Sequence, residues 1–133
     1  MQARKSRGFD RSRSSSGALA LVAAVLLAVP GQVGAATGDF NSDNRADILW
    51  RNSDSGNTVL WQMNGFVREA AGSIGWVSSL WRIDGIADFD FDSKADVLWR
   101  NWSTGNSIVW KMDGFVRDAA GGIGNVPVVW EVQ

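Results

Sequence analysis

One feature constrains this chain more than any other. Asp39 to Asp84 lies over Asp88 to Gln133 without a gap, at a period of about 49 residues and with about half the positions identical. A period of that size marks units that cannot bury their apolar faces alone and must stack on neighbours. The matching series runs through Asp39/Asp88, Phe40/Phe89, Asp43/Asp92 and Asp47/Asp96. It continues with Leu49-Trp50-Arg51-Asn52 over Leu98-Trp99-Arg100-Asn101, then Trp61/Trp110, Met63/Met112 and Gly65-Phe66-Val67-Arg68 over Gly114-Phe115-Val116-Arg117.

Each copy reads as short strands divided by turn chemistry. Asp47 to Asn52 is apolar on both faces, Thr58 to Met63 alternates Val59, Trp61 and Met63 onto one side, and Phe66 to Ala71 follows directly. Between the last two, Asn64-Gly65 and its counterpart Asp113-Gly114 form a strong hairpin signal, the turn being one whose central residues take positive φ. Leu80 to Ala87 supplies a fourth strand that runs into the next acidic loop. The expected fold is therefore all-β: two four-stranded antiparallel blades of the propeller type, the first at 37–87 and the second at 88–133. Propellers close with more blades than two, so the chain is expected either to complete the array with copies of itself, as a homo-oligomer, or to be part of a longer array. A small twisted β-sandwich is the plainer alternative.

What precedes the repeats has a different character. Arg4, Lys5, Arg7, Arg11 and Arg13 lead into an uncharged run from Ala18 to Val29, then Pro30-Gly31 and the small residues Val33-Gly34-Ala35-Ala36. That order is a secretory signal peptide over 1–36, and its apolar run is too short for a stable membrane span, which needs about 20 residues. Five of the chain's 13 basic residues but one of its 14 acidic ones lie there, leaving the repeats at roughly −5. An acidic remainder offers no footprint for nucleic acid. The expected location is secreted, periplasmic or at the cell surface. The chain has no Cys and no His, so disulfides, thiolate or imidazole metal sites and Ser/His or Cys/His catalysis are all excluded.

The acidic loops hold the clearest chemistry. Asp39, Asn41, Asp43 and Asp47 in the first copy, and Asp88, Asp90, Asp92 and Asp96 in the second, place oxygens at loop positions 1, 3, 5 and 9. Calcium takes six to eight oxygen ligands, and a tight loop with alternating oxygen side chains wraps such an ion, position 7 adding the carbonyl of Arg45 or Lys94. Asp and Asn are also ordinary turn formers, but two such loops in register, each just before an apolar strand, favour the ion. The spacing is not that of an EF-hand, since the twelfth positions are Trp50 and Trp99.

The pattern Asp-Phe-Asn-x-Asp-x-x-x-Asp-Ile-Leu-Trp-Arg-Asn, followed by Trp-x-Met-Asn-Gly, resembles the FG-GAP/VCBS-type repeat of secreted proteins, related to the calcium-bearing blades of integrin α-subunits. The resemblance covers nearly all of the chain after the leader. It implies a β-propeller blade with calcium in these loops and a role in recognition or adhesion, in some members as a lectin. Such repeats commonly carry Gly at loop positions 4 and 6, where this chain has Ser42 and Asn44, then Phe91 and Ser93. The second loop is expected to be the more strained, because Asn accepts a left-handed backbone better than Ser does.

Trp50/Trp99, Trp61/Trp110 and Trp81/Trp130 recur at strand positions and are expected in the core. Trp76 and Trp102 do not recur, their counterparts being Asn125 and Ser53. They could stack on a sugar face, with Asp54, Asn57 and Asn106 adding hydrogen bonds, or be covered by a neighbouring blade. No pair among the remaining acidic groups, such as Asp54, Glu69 and Glu131, stands out as catalytic, so no enzyme is expected. Two functional classes remain: an extracellular recognition module with a glycan or cell-surface protein as partner, and a calcium-braced structural piece of a larger propeller with no ligand of its own.

Overall fold

The computed structural model describes residues 38–133; the leader expected at 1–36 lies outside them. Seven strands follow in order: β1 (Ile48–Arg51), β2 (Asn57–Asn64), β3 (Val67–Trp76), β4 (Trp81–Ala87), β5 (Asp96–Asn101), β6 (Asn106–Asp113) and β7 (Val116–Asn125). They form two antiparallel sheets, ordered β1-β2-β3 and β4-β5-β6-β7. The fold is all-β, as the repeat predicts, and the described residues contain no helix and no closed barrel or propeller.

The strands are shared out differently from the expectation of four per copy. β4, read as the last strand of the first copy, pairs with β5 through Trp81↔Asn101, Arg82↔Arg100 and Ile83↔Trp99. The second sheet thus borrows a strand from the copy before it, and the first sheet has three strands among the described residues. A repeat defines a period but not a phase, and the phase is set by which sheet edge a strand reaches.

Local chemistry explains the connections. After β1, the Asn52 side-chain oxygen accepts the N–H groups of Asp54 and Ser55 at 2.9 and 2.8 Å, closing a tight loop. That loop ends at Gly56, where φ is +77° and a Cβ would sit 2.2 Å from the Val77 carbonyl oxygen, so only glycine fits. The hairpin turn lies one residue later than expected. Asn64 pairs with Val67, the turn residues are Gly65 and Phe66, and Gly65 alone of the two has positive φ. That is the pattern of a turn needing glycine at its first central position. The same shift occurs at Gly114-Phe115.

The core lies between the sheets. Leu60, Ile74 and Val77 of the first unit meet Val97, Trp99, Trp110 and Met112 of the second, with Phe40 of the first acidic loop buried among them. The recurring tryptophans divide: Trp99 and Trp110 are buried, Trp61 and Trp81 are half-buried, and Trp50 and Trp130 are exposed, contrary to the expectation of core packing throughout. The reason is positional, since equivalent residues face a sheet on one side of the chain and solvent on the other.

Candidate functional site

Each acidic loop is folded around its own carboxylates. In the first, Asp39 is buried and accepts the N–H groups of Asn41 and Asp43 on one oxygen, at 3.2 Å each, and that of Asn44 on the other at 2.7 Å. Asp43 accepts from the Arg45 N–H at 2.9 Å, and the Asn41 oxygen accepts from the Asp43 N–H at 3.2 Å. The second loop repeats the frame: Asp88 accepts from Asp92 and Ser93 at 3.2 and 2.9 Å, and Asp92 accepts from Lys94 at 2.8 Å. These bonds coil the backbone so that the acidic side chains turn inward.

The coiling demands left-handed backbone at loop positions 4 and 6. Ser42 and Asn44 have φ of +61° and +64°, and Phe91 and Ser93 have +63° and +70°. Non-glycine residues held there carry strain of about 1–2 kcal/mol each, so the loop frame is maintained against a local cost.

Asp47 and Asp96, at position 9, latch each loop to the sheet. Asp47 accepts from the Phe40 and Met63 N–H groups, both at 3.0 Å. Asp96 accepts from Phe89 and Met112, again both at 3.0 Å. Burial pushes both carboxyls above the ordinary 3.8, the neighbouring loop carboxylates add to the rise, and the paired N–H groups oppose it. Asp88, Asp90 and Asp96 bring carboxylate oxygens within 4.8 Å of one another. Three of the four acidic ligands expected in the second loop therefore converge. In the first loop, Asp39 and Asp43 lie close enough to Asp47 to raise its carboxyl.

The side chains at position 7 make ion pairs, that of Arg45 partly within its own loop. Lys94 pairs with Asp113 at 3.0 Å, and Arg45 reaches Asp43 and Glu69 at 3.5 and 3.9 Å. A further residue, Lys111, was not singled out by the spacing. Its ammonium pairs with Asp90 and holds that carboxyl below its ordinary range. The signal was present in the repeat: where Asn41 becomes Asp90, Gln62 becomes Lys111, so the added carboxylate arrives with an added cation.

The proposed ligand platform divides between the two sheets. Trp76, at the end of β3, donates its indole N–H to the Ser55 carbonyl, and Asn125 makes the corresponding bond to Thr104 at 2.6 Å. Trp76 is thus an exposed ring with a structural hydrogen bond that its non-identical counterpart also makes. Asn57 accepts from Ser73 at 2.8 Å and Asn106 accepts from Asn125 at 2.9 Å, each bracing its own β2–β3 or β6–β7 end. Asp54 is exposed on the first loop. Trp102 is half-buried under two guanidinium groups, Arg82 at 4.8 Å and Arg100 at 5.7 Å from its ring centre.

No curated protein and no solved structure matches the chain. Residues 39–99 match the family model of the FG-GAP-like repeat, a stretch that takes in both acidic loops and the strands between them. Two in-register acidic loops, each latched by its ninth residue to an antiparallel sheet, together with that match, mark residues 39–99 as carrying an FG-GAP-like repeat.

Proposed function

We propose that the chain is an extracellular calcium-braced repeat module that acts in recognition or adhesion. The observation that carries the calcium reading is the second loop, where three carboxylates converge within 4.8 Å on a backbone held left-handed at two non-glycine positions. Like charges packed so closely favour a cation, and an all-oxygen donor set suits a hard one. Asp39, Asn41, Asp43 and Asp47 would hold one ion, and Asp88, Asp90, Asp92 and Asp96 a second, with the Arg45 and Lys94 carbonyls completing each set. The bound ion would supply charge neutralisation and fix each loop against its sheet.

The described residues include no helix long and apolar enough to cross a membrane, and FG-GAP repeats typically work outside the cell. The module binds rather than catalyses in this reading, with a glycan or a cell-surface protein as its partner. Trp76 is the ring available to a sugar, because it stands exposed at a strand end beside Ser55 and Asn57. Calorimetric unfolding with calcium and with a chelator tests the ion. A ligand bound only by the folded state raises the midpoint, so coincident curves would remove calcium from the account. Glycan-array binding lost in Trp76→Ala and Trp102→Ala supports the lectin role, whereas an array silent for the parent protein leaves the purely structural role as the function.

A further inference from the structure

The contact between the two sheets is a template for a second contact. On one side of it lie Phe40, Leu60 and Ile74, and on the other Trp99, Trp110 and Met112. Shifting each set by one repeat gives Phe89, Val109 and Ile123 on the free face of the second sheet, and Trp50, Trp61 and Met63 on the free face of the first. Both sets are apolar like their originals and are more exposed: Phe89, Ile123 and Trp50 are exposed, and Val109, Trp61 and Met63 are half-buried. Ile74 is 7% exposed against 63% for Ile123, and Trp99 is 0% against 50% for Trp50. The tryptophan pairs even share a geometry: Trp50 and Trp61 stand 5.2 Å apart at 57°, Trp99 and Trp110 5.1 Å apart at 54°.

From this repetition we propose that the second sheet of one chain docks on the first sheet of another copy of this chain, head to tail, in the register the two sheets already use internally. The internal contact specifies the polar joints. The Asp39 and Phe40 carbonyls accept the N–H groups of Ala95 and Gly114 at 2.6 and 2.7 Å. Between copies, the Asp88 and Phe89 carbonyls accept those of Ala46 and Gly65 in the neighbour, which are exposed where Ala95 and Gly114 are buried. Arg51 lies 5.8 Å from the Trp99 ring centre, a cation set over a ring across the internal contact.

Strand pairing adds to the same contact. Trp130–Gln133 are the register equivalents of Trp81–Asp84, the start of β4. Trp81 N–H donates to the Ser78 carbonyl at 2.9 Å, and Trp130 N–H donates to that of Pro127 at 3.0 Å, so both segments leave the same turn. Trp81–Ala87 pairs with β5. Trp130–Gln133 accordingly adds to β1 of the neighbour, the edge strand of the three-stranded sheet, as an added strand. A head-to-tail contact of this kind closes into a ring when its rotation permits.

Docking of this kind needs only the repeated sheets, whether or not the acidic loops hold an ion. Its test uses protein expressed from the full sequence. Because the chain has no cysteine, a disulfide placed between Gly121→Cys and Phe66→Cys reports the contact without background. Internally Gly72, the equivalent of Gly121, lies against Phe115, the equivalent of Phe66. Gly121 has open space around it and Phe66 is fully exposed, so neither change disturbs the fold. Mild oxidation of the double variant is expected to yield covalent species of more than two chains on a non-reducing gel, where each single variant, with one thiol per chain, can go no further than a dimer. Sedimentation of the parent is expected to give a multiple of the chain mass, falling to one chain in Trp50→Glu. A monomeric parent, or a multimer in which the double variant does not cross-link beyond a dimer, overturns the proposal. Running both measurements in calcium and in chelator separates this outcome from loss of the ion, whose own signature is the unfolding midpoint.

Discussion

Replacing Asp96 by Asn probes the latch between the second acidic loop and its sheet. The side chain is 0% exposed, and each of its oxygens accepts one backbone N–H at 3.0 Å, from Phe89 on the loop and Met112 on β6. Asn keeps one acceptor and turns an NH₂ group toward the other N–H, leaving that donor buried and unmet. Losing one charged hydrogen bond and stranding one donor costs about 3 kcal/mol. Burial already disfavours the charge on Asp96, so neutralising the side chain recovers part of that cost, and the net loss is about 2 kcal/mol. For a unit of this size that is a fall of roughly 10 °C in midpoint. The assay is thermal unfolding by circular dichroism in chelator, so that no ion contributes. Asp47→Asn, at a latch with the same two distances but in a half-buried position, should lose less. An Asp96→Asn midpoint within about 2 °C of the parent, or a larger loss in Asp47→Asn, would refute the latch.

Three other outcomes follow from the same geometry. Ser93→Gly relieves a left-handed Ser at φ +70°, and after the unfolded-state entropy of glycine it should gain up to about 1 kcal/mol. Asn44→Gly should gain less, and a denaturant midpoint that ranks them the other way contradicts the strain argument. Gly56→Ala puts a Cβ 2.2 Å from the Val77 carbonyl, while Gly65→Ala meets open space at φ +59°. The first should cost several-fold more than the second, which carries only the left-handed penalty of about 1–2 kcal/mol, and equal losses in urea unfolding would count against the close approach. The pH response should depend on the ion. Asp47 and Asp96 are raised above 3.8 in the folded state, so the folded protein holds those protons more tightly than the unfolded chain. Their contribution to ion-free stability therefore increases as pH falls through the raised values toward 3.8 and is lost as pH rises through them. Calcium needs the carboxylates, so its stabilisation declines over the same fall. Urea midpoints from roughly pH 7 to 4 should converge between calcium and chelator. Lys111→Gln removes the oppositely signed Asp90 pair from the comparison. Curves that diverge toward acid would defeat the assignment.

The repeat, the all-β class and the spacing of the acidic side chains were all legible in the residues, because each is a local pattern written twice. The left-handed positions were legible as well: a loop that commonly carries glycine at positions 4 and 6 keeps its shape here with Ser42, Asn44, Phe91 and Ser93. The placement of β4 in the second sheet was not legible, since strand pairing is a long-range choice that periodicity leaves open. The one-residue displacement of the Gly65-Phe66 turn follows from register, which depends on the bulges opposite Thr58/Val59 and Gln62/Met63. Trp76 looked unique by identity, but its hydrogen bond is shared with Asn125, and function in a repeat follows the bond made rather than the letter. The uneven burial of the paired tryptophans could not be read from identity at all, because it records which face of each sheet has a neighbour.

The proposed calcium ions, one in each of the two in-register acidic loops, can be counted. Titration calorimetry of the chelator-stripped protein with calcium does so directly. Two ions per chain are expected, falling to one when Asp88, Asp90 and Asp96 are replaced together by Asn. No binding heat in the parent, or an unchanged stoichiometry in that variant, would contradict the calcium assignment.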